Sequence, residues 1–125
     1  MILNRKRDQL KIELAGLPPA KKNSRRNFKS GVSLPSVRYE LWQGYASAEI
    51  AEVWDEKPIA RTSSICLTLG ISDKRRKDLD NMLTSVLDML VHCNGLEDDD
   101  WRICSNITVR GLESEKDYTN IQIWE

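Results

Sequence analysis

One apolar stripe constrains this chain more than any other feature, because its spacing fits only an α-helix. Seven apolar residues recur with the helical period of about 3.6 residues. They are Leu79, Met82, Leu83, Val86, Leu87, Leu90 and Cys93. The pair Asn94-Gly95 then predicts where this helix stops. A helix with one apolar face has to bury that face against another element, so the sequence predicts a packed layer beneath it.

Before that helix, the chain carries a strand pattern and a basic loop. Leu10, Ile12 and Leu14 alternate with polar residues, which predicts a half-buried strand that ends at Gly16. Residues 20–35 are basic, polar and rich in turn formers, so they predict a long loop. Loops of this length in compact domains are usually functional or mobile. The basic loop at about residues 20–35 is therefore a candidate binding segment.

The remaining patterns complete an α+β order. Apolar residues at helical spacing predict a first helix over residues 36–54, with Ser36 as its N-cap. A strand rich in β-branched residues ends near Gly70. Residues 103–109 and 118–124 predict two further strands, joined most simply as an antiparallel hairpin. The predicted order is β-α-β-α-β-β, in which two main helices pack on a mixed sheet.

Chain length and composition set the class of protein. At 125 residues, with 40% apolar and 30% charged side chains, the sequence predicts one soluble domain over residues 1–125. Three cysteines without a CxxC spacing disfavour a disulfide framework and predict a cytoplasmic setting, whether the origin is bacterial, prophage or phage. No apolar run reaches membrane-spanning length, and no secretion signal is recognisable. We therefore expect no membrane partner and no small-molecule cofactor.

Charge is segregated along the chain, although the formal net charge is zero. Residues 1–30 carry nine Lys or Arg against two acids, whereas residues 31–125 carry ten against seventeen. The basic loop supplies four candidate phosphate ligands, namely Lys21, Lys22, Arg25 and Arg26. Such an arm can bind a polyanion even when the whole molecule is neutral. A solvated loop without a ligand is the alternative.

A basic run followed by acids is the clearest indication of chemistry. Four consecutive cations stand directly before a pair of carboxylates: Lys74, Arg75, Arg76 and Lys77, then Asp78 and Asp80. Residues 97–100 bring a second acidic cluster. Clustered acids favour a hard cation and clustered bases favour phosphate, so together they predict a metal-dependent enzyme that acts on a phosphodiester backbone. The alternative is that the first acids only cap a helix and the later cluster is a solvated turn.

Helix geometry decides where the paired acids have to lie. Residues i and i+2 point apart on a helix but share a face in extended backbone, so Asp78 and Asp80 need the strand-to-helix junction to share an ion. The sequence puts them there, with Asp80 or Asn81 as the predicted helix cap. A third carboxylate from residues 97–100 has to return across roughly 20 Å of helix. Folding within the chain or a symmetric dimer could supply it, while two carboxylates could suffice for a minimal Mg²⁺ site.

These residues, in this order, resemble the RusA family of Holliday-junction resolvases. The likeness is carried by Asp78-Leu79-Asp80-Asn81 after the basic run, by Leu87-Asp88-Met89-Leu90 in the following helix, and by the later acidic cluster. An early strand followed by Leu17-Pro18-Pro19 and Lys22-Asn23 is similar to the family's N-terminal strand and Pro-Pro loop. With the two closing strands, the resemblance covers nearly the whole chain.

The resemblance implies a homodimeric, Mg²⁺-dependent endonuclease that cuts paired strands of four-way DNA junctions, with Mn²⁺ able to replace Mg²⁺. Asp78 and Asp80 match the family's paired metal-binding aspartates. The third aspartate matches Asp99 when counted from Asp80, and Asp100 when aligned backward from the strand at Ile103. The run from Lys74 to Lys77 matches the family's DNA-contacting basic segment.

One position departs from the family pattern. Thr84 stands where the family often carries a lysine one helical turn after the second aspartate. That lysine is thought to assist catalysis, and Lys77, Lys21 and Lys22 are candidates to supply its charge. The departure keeps open a non-catalytic DNA- or protein-binding module, and a general Mg²⁺-dependent nuclease is a further alternative. No residue pattern indicates a sequence preference for cleavage.

Overall fold

Strands and helices alternate along the chain as predicted, with one small addition. The computed structural model describes residues 8–19, 25–27, 30–31, 33–54, 57–75 and 77–124. The elements, in chain order, are β1 (Asp8–Ala15), β2 (Arg25–Asn27), β3 (Ser33–Pro35), α1 (Val37–Val53), β4 (Ser63–Ile71), α2 (Leu79–His92), β5 (Cys104–Glu113) and β6 (Tyr118–Trp124). The predicted α+β class, with two helices on a mixed sheet, is confirmed.

The basic loop contains a short hairpin that the sequence patterns did not predict. β2 and β3 pair antiparallel, from Arg25 opposite Pro35 to Asn27 opposite Ser33. Gly31, at φ 86°, lies between the two strands in the left-handed conformation that glycine adopts without strain. The predicted loop over residues 20–35 therefore includes a short hairpin within its described residues. Three paired residues in each strand are too few to show an alternating pattern in the sequence.

Strand β4 lies inside a four-stranded mixed sheet with the order β1-β6-β4-β5. It pairs with β5 in parallel and with β6 antiparallel, so the predicted hairpin of the last two strands is wrong. The connection between them crosses the end of β4, where the Ser114 N–H donates to the Ile71 carbonyl over 3.1 Å. The Tyr118 ring covers Gly70 so closely that a Cβ on this glycine would lie 1.9 Å from the ring. Alternating side chains show which face a strand buries but not which strand it pairs with.

One face of the sheet and the inner faces of both helices share a single apolar core. Its main side chains from the sheet are Leu10, Leu14, Ile65, Leu67, Leu69, Ile121 and Ile123, and from the helices Tyr39, Trp42, Ala46, Ile50, Met82, Val86, Leu87, Met89 and Leu90. The stripe predicted for α2 is confirmed, with Leu79, Leu83 and Cys93 at its partly exposed margin. Each fully buried large apolar side chain contributes roughly 1.5–3 kcal/mol relative to its exposed state. The core thus holds α2 as a firm support for the segments at its two ends.

The ends of the helices use the residues that the sequence indicated. Ser36 caps α1, because its Oγ accepts a hydrogen bond from the Tyr39 N–H over 3.1 Å. After α2, Asn94 takes the left-handed conformation at φ 63°. The Gly95 N–H then donates to the Leu90 carbonyl over 2.8 Å, which satisfies one of the last free carbonyls of the helix. The Asn94-Gly95 stop is confirmed.

A backbone bridge fixes where the acidic loop starts. Leu96 pairs with Ile59 as an isolated parallel bridge. The Ile59 N–H donates to the Gly95 carbonyl over 3.0 Å, and the Glu97 N–H donates back to the Ile59 carbonyl over 3.0 Å. Since Ile59 lies in the segment that leads into β4, these backbone hydrogen bonds hold the start of the loop after α2 against that segment.

Two expectations from composition can be compared with the described residues. None of the helices in this part of the chain has the length and apolar character needed to cross a membrane. Cys66, Cys93 and Cys104 are free thiols, as their spacing predicts.

Candidate functional site

Asp78 stands where extended backbone turns into α2. It occupies the N-cap position, at φ −95° and ψ 110°, so the prediction of Asp80 or Asn81 as the cap is wrong by two or three residues. Its carboxylate nevertheless makes no capping hydrogen bond to the helix. Instead, the side-chain amide of Asn81 donates to the Asp78 carboxylate over 3.4 Å. Capping therefore does not account for an aspartate at this position.

Asp80 lies in the first turn of α2, two residues after the cap. The side chains of Asp78 and Asp80 are both exposed, whereas Asn81 is buried with 8% of its surface accessible. The positive end of the helix dipole favours negative charge at these positions. The structure thus presents two carboxylates at the surface, beside a buried amide that contacts one of them.

Thr84 does not replace the lysine that the family often carries. Its hydroxyl donates to the backbone carbonyl of Asp80 over 3.0 Å, and its side chain is half-buried. A hydroxyl bound to the helix backbone in this way brings no positive charge to the site. The departure seen in the sequence is therefore also a departure in local chemistry.

The Pro-Pro segment packs on the same part of α2. The Ser85 hydroxyl, which is fully buried, donates to the carbonyl of Pro19 and also contacts the carbonyl of Asn81 at 3.3 Å. Pro18 and Pro19 are both buried. The basic arm that follows Pro19 in the chain therefore starts about one and a half to two helical turns from the carboxylate pair. Sequence reasoning missed this relationship, because Ser85 gives no signal of a partner 66 residues away.

Among the predicted DNA-binding residues of the arm, Lys21 and Lys22 lie outside the described residues. Arg25 and Arg26 belong to β2, where the description covers the backbone. Their assignment as phosphate ligands stays a prediction.

The described cations of the second basic segment lie close to acids. Arg75 pairs with Asp73. Its Nε lies 2.5 Å from one carboxylate oxygen, and its backbone N–H donates to the other oxygen over 2.9 Å. These hydrogen bonds lower the pKa of Asp73. The charge of Lys77 acts in the same direction on Asp73 and on Asp117, whose pKa is lowered first by hydrogen bonds from Ser72.

Lys74, also exposed, lines an open pocket of about 420 Å³ with Glu113 and Glu115. Arg76 lies outside the described residues. The three described cations of the run thus have acids nearby, and the assignment of the run as DNA ligands stays a prediction.

The later acids lie at the other end of α2. A pocket of about 270 Å³ is lined by Gln43, Asp88, Val91, His92, Asp98 and Asp99. Partial burial raises the pKa of Asp99, and a hydrogen bond and the negative charge of Asp98 add to the rise, with a smaller contribution from Asp88. A carboxylate whose neighbours are carboxylates is a site where a cation would relieve repulsion.

The two alternatives for the third acid differ in their contacts. Asp100 accepts hydrogen bonds from Arg102, with the guanidinium at 2.6 Å and 3.1 Å and the backbone N–H at 2.9 Å, and these contacts lower its pKa. Asp99 lines the pocket and faces other carboxylates. Of the two, Asp99 has the environment expected of a cation ligand.

The described residues do not bring the three predicted acids together within one chain. Asp78 occupies the N-cap position of α2 and Asp99 lies beside its last turns, so roughly 15 Å or more of helix separates them. Across the described ranges, with their gaps, no group of three or more His, Cys, Asp or Glu side chains is placed to hold a metal ion. Metal binding by Asp78, Asp80 and Asp99 remains a prediction that needs two carboxylates alone or a second copy of the chain.

Two residues of the acidic pocket were not predicted from the sequence. Asp88 and Gln43 come from different helices, and Gln43 donates to the hydroxyl of the buried Tyr39 over 3.3 Å. Burial and the charge of Asp88 raise the pKa of Tyr39 to about 12. The available signal was the spacing of Asp88 and His92, which at i and i+4 share one face of α2.

The fold and the site define a small α+β protein with exposed carboxylates at both ends of a central helix and a basic arm that starts beside one of them. No protein-family model matches the chain. The chain is similar to the crossover junction endodeoxyribonuclease RusA of Aquifex aeolicus (strain VF5), with 28% identity over 116 residues that cover 93% of this chain and 91% of that protein. The resemblance to the RusA family noted from the motifs is confirmed by this relative.

Proposed function

We propose that this protein is a Mg²⁺-dependent endonuclease that resolves four-way DNA junctions by paired phosphodiester cleavage. The likeness to a crossover junction endodeoxyribonuclease over nearly the full length of both chains supports the substrate class. The observation that carries the proposal is the place of Asp78, whose exposed carboxylate lies where extended backbone turns into α2. A second exposed carboxylate, Asp80, follows on the first turn.

The donor set fits a hard divalent cation. Mg²⁺ and Mn²⁺ prefer oxygen ligands, and Mg²⁺ is commonly held by one or two carboxylates with water and substrate phosphate completing its shell. Asp78 and Asp80 would hold the ion, and Asp99 of a second copy is the candidate third ligand. When bound, such an ion lowers the pKa of a water and polarises the scissile phosphate.

The chain's own residues supply position and electrostatics. Asn81 orients the Asp78 carboxylate through its amide, and the burial of Asn81 restricts the movement of that amide. The N-terminus of α2 places its positive dipole end at the same point, where it also favours a phosphate oxygen. Lys21, Lys22, Arg25 and Arg26 of the arm, with Lys74 and Lys77, would neutralise phosphates that are not cleaved, which makes binding weaken steeply with salt.

Cleavage of a synthetic four-way junction with Mg²⁺ tests the proposal, with linear duplex and single strand as comparison substrates. We expect the native chain to cut the junction in preference to the other two. Asp80→Asn should lose cleavage while retaining junction binding, because it removes a ligand charge without removing the basic arm. Glu13→Gln is the matched control, since Glu13 is an exposed acid on β1. Unchanged cleavage by Asp80→Asn would contradict the role of this carboxylate.

One observation favours a second candidate, a junction-binding protein without catalysis. Thr84 brings no cation to the position where the family often has a lysine, and its hydroxyl is engaged with the Asp80 carbonyl. Binding of the junction without cutting, by the native chain in Mg²⁺ and in Mn²⁺, would select this alternative. Equal cutting of all three substrates would instead select a general nuclease.

A further inference from the structure

Trp101 presents its indole to solvent directly after the acidic cluster. It exposes 79% of its surface, the largest fraction among the exposed large apolar side chains of the described residues. The other tryptophans, Trp42, Trp54 and Trp124, are buried or half-buried. Tryptophan gains most of its stabilisation from the burial of a large aromatic surface, and it is enriched where a binding partner covers it. An indole left in water at this turn therefore indicates a contact with another molecule.

The backbone that carries Trp101 is held in a fixed turn. The N–H groups of Ile103 and Cys104 both donate to the Asp100 carbonyl, over 3.1 Å and 2.8 Å. The Asp100 carboxylate accepts from the backbone N–H of Arg102 over 2.9 Å and from its guanidinium over 2.6 Å. These hydrogen bonds join the residue before Trp101 to the three residues after it. The place of the indole is thus largely set before a ligand binds, which lowers the ordering cost of binding.

The charge around Trp101 favours an uncharged ligand surface over a phosphate. Four acids precede it at residues 97–100, and the neighbouring guanidinium of Arg102 is already bound to Asp100. Like charges repel, so a DNA phosphate is disfavoured at this turn. A nucleobase has a neutral aromatic face, and its stacking on an aromatic side chain needs no cation. Of the parts of a DNA strand, the base is the one that this surface fits.

Trp101 also lies next to Asp99, the candidate third ligand of the proposed function. Two residue steps separate them in the chain, so their Cα atoms are at most about 7 Å apart. DNA that is cleaved beside Asp99 would therefore pass within reach of the indole.

A four-way junction offers a base face that a linear duplex does not. Inside a duplex, both faces of each base pair are covered by the neighbouring pairs. At the branch point, the last pair of each arm loses one neighbour when the arms separate. We infer that Trp101 stacks on an unstacked base at the branch point and so favours the junction over linear duplex. The inference rests on the proposed function, because that function brings a junction to this loop.

Binding of the full chain to a four-way junction and to linear duplex, both without divalent ions, tests the inference. Trp101→Ala should weaken junction binding by about 5- to 150-fold, the change expected for the loss of one stacked base, and leave duplex binding unchanged. Trp101→Leu keeps an apolar side chain without an aromatic face, so it should bind the junction as weakly. Trp101→Tyr should recover most of the affinity, because a phenol ring also stacks on a base. Leu112→Ala is the matched control, since Leu112 is an exposed apolar residue near the other end of β5.

2-Aminopurine at the branch point measures the stacking directly, because its fluorescence is quenched when the base stacks. Junction complexes of Trp101→Ala and Trp101→Leu should be brighter than those of the native chain and Trp101→Tyr. Thermal melts should show the native midpoint for all these variants, because the side chain that is replaced is exposed.

Three results would overturn the inference. The first is a Trp101→Ala chain that binds the junction as tightly as the native chain, and the second is a complex of that variant with native brightness. The third is a change in the oligomeric state of the free Trp101→Ala chain, which would assign the indole to a protein contact.

Cleavage with Mg²⁺ separates a failure of the inference from a failure of the proposed function. A native chain whose indole stacks as expected but which never cuts contradicts the proposed function alone. Cutting by Trp101→Ala with the native preference for junction over duplex contradicts the inference alone. A native chain that shows no preference for the junction, in binding or in cutting, contradicts both.

Discussion

The side-chain amide of Asn81 donates a hydrogen bond to the carboxylate of Asp78 over 3.4 Å, across the first turn of α2. The donor is buried and the acceptor is exposed, so the contact joins the packed interior to a surface carboxylate. Residues that hold a ligand in this way contribute to metal affinity without touching the metal.

Asn81→Ala should raise the Mg²⁺ concentration needed for half-maximal cleavage by about 10- to 100-fold, because the Asp78 carboxylate loses the hydrogen bond that holds it in place. A Mg²⁺ titration of junction cleavage measures the effect. Asn106→Ala, at an exposed position of β5, is the matched control. An unchanged Mg²⁺ requirement in a folded Asn81→Ala protein would mean that the contact does not serve the site.

The two helix caps should respond differently to truncation. Ser36→Ala removes a hydrogen bond to the N–H of Tyr39 and should cost about 1 kcal/mol of unfolding free energy. Asp78→Ala removes no capping bond, so in an Asn81→Ala background, which has no buried amide left to lose its acceptor, and at high salt, where the helix dipole is screened, it should cost less than about 0.5 kcal/mol. Denaturant unfolding of both variants measures the difference. Equal losses of unfolding free energy in the two variants would show that Asp78 does cap α2.

The pH dependence of stability should have opposite signs at Asp99 and Asp100. The raised pKa of Asp99 means that the folded protein holds this proton more tightly, so ionisation destabilises the fold as pH rises above the ordinary value of 3.8. Asp99→Asn should therefore melt above the native protein near neutral pH and converge with it in acid. The lowered pKa of Asp100 predicts the reverse, a stability gain present above 3.8 and lost as pH falls, so Asp100→Asn should melt lower near neutral pH.

Thermal melts at several pH values test this pair. If Asp99 belongs to a cation site, Mg²⁺ should also raise the native midpoint and leave Asp99→Asn unchanged. Parallel shifts of both variants across the pH range would contradict the assignment of the two carboxylates.

Two glycines should respond in opposite directions to alanine. Gly44→Ala replaces glycine in an open helical position and should stabilise the monomer by up to about 1 kcal/mol. Gly70→Ala places a methyl group 1.9 Å from the Tyr118 ring and should cost about 1–3 kcal/mol. Denaturant unfolding of both variants measures the two changes in stability. A neutral Gly70→Ala would show that the crossover at the end of β4 is looser than described.

The basic arm should govern the salt dependence of binding. Lys21→Ala and Lys22→Ala should each reduce the slope of log affinity against log salt by about 0.9 if each residue contacts one phosphate. Lys116→Ala, exposed in the connection between β5 and β6, is the control. Junction binding at several salt concentrations gives the slopes. Slopes that match the control would place the arm outside the DNA interface.

The sequence predicted where the helices and strands lie better than it predicted which strands pair with each other. The stripe of α2 and the cap at Ser36 depend on local spacing and local hydrogen bonds, so both could be read directly. The hairpin of the last strands could not, because β5 and β6 show the same alternation whether they pair together or flank β4. Gly70, which the Tyr118 ring covers, is one local residue tied to that crossover.

For the candidate site, the sequence located the strand-to-helix junction but not the contacts there. Asp78 was placed correctly at this junction, whereas its contact with Asn81 and the engagement of Asp100 by Arg102 depend on side-chain orientation. Residues 74–77 were interpreted as phosphate ligands because they are four consecutive cations. In the structure, acids from other segments lie near the described cations of this run, and the sequence of the run alone could not reveal them.

The hydroxyl of Ser85 on the carbonyl of Pro19 sets the origin of the arm and therefore its reach. From Pro19, an extended chain brings Lys22 at most about 10 Å and Arg25 at most about 20 Å away. At 3.4 Å of rise per nucleotide, these limits correspond to about three and six base steps along a duplex. If the proposed cleavage takes place at Asp78 and Asp80, an arm anchored at Ser85 reaches only the stretch of backbone near the cut, and a branch point farther away has to be recognised by another surface.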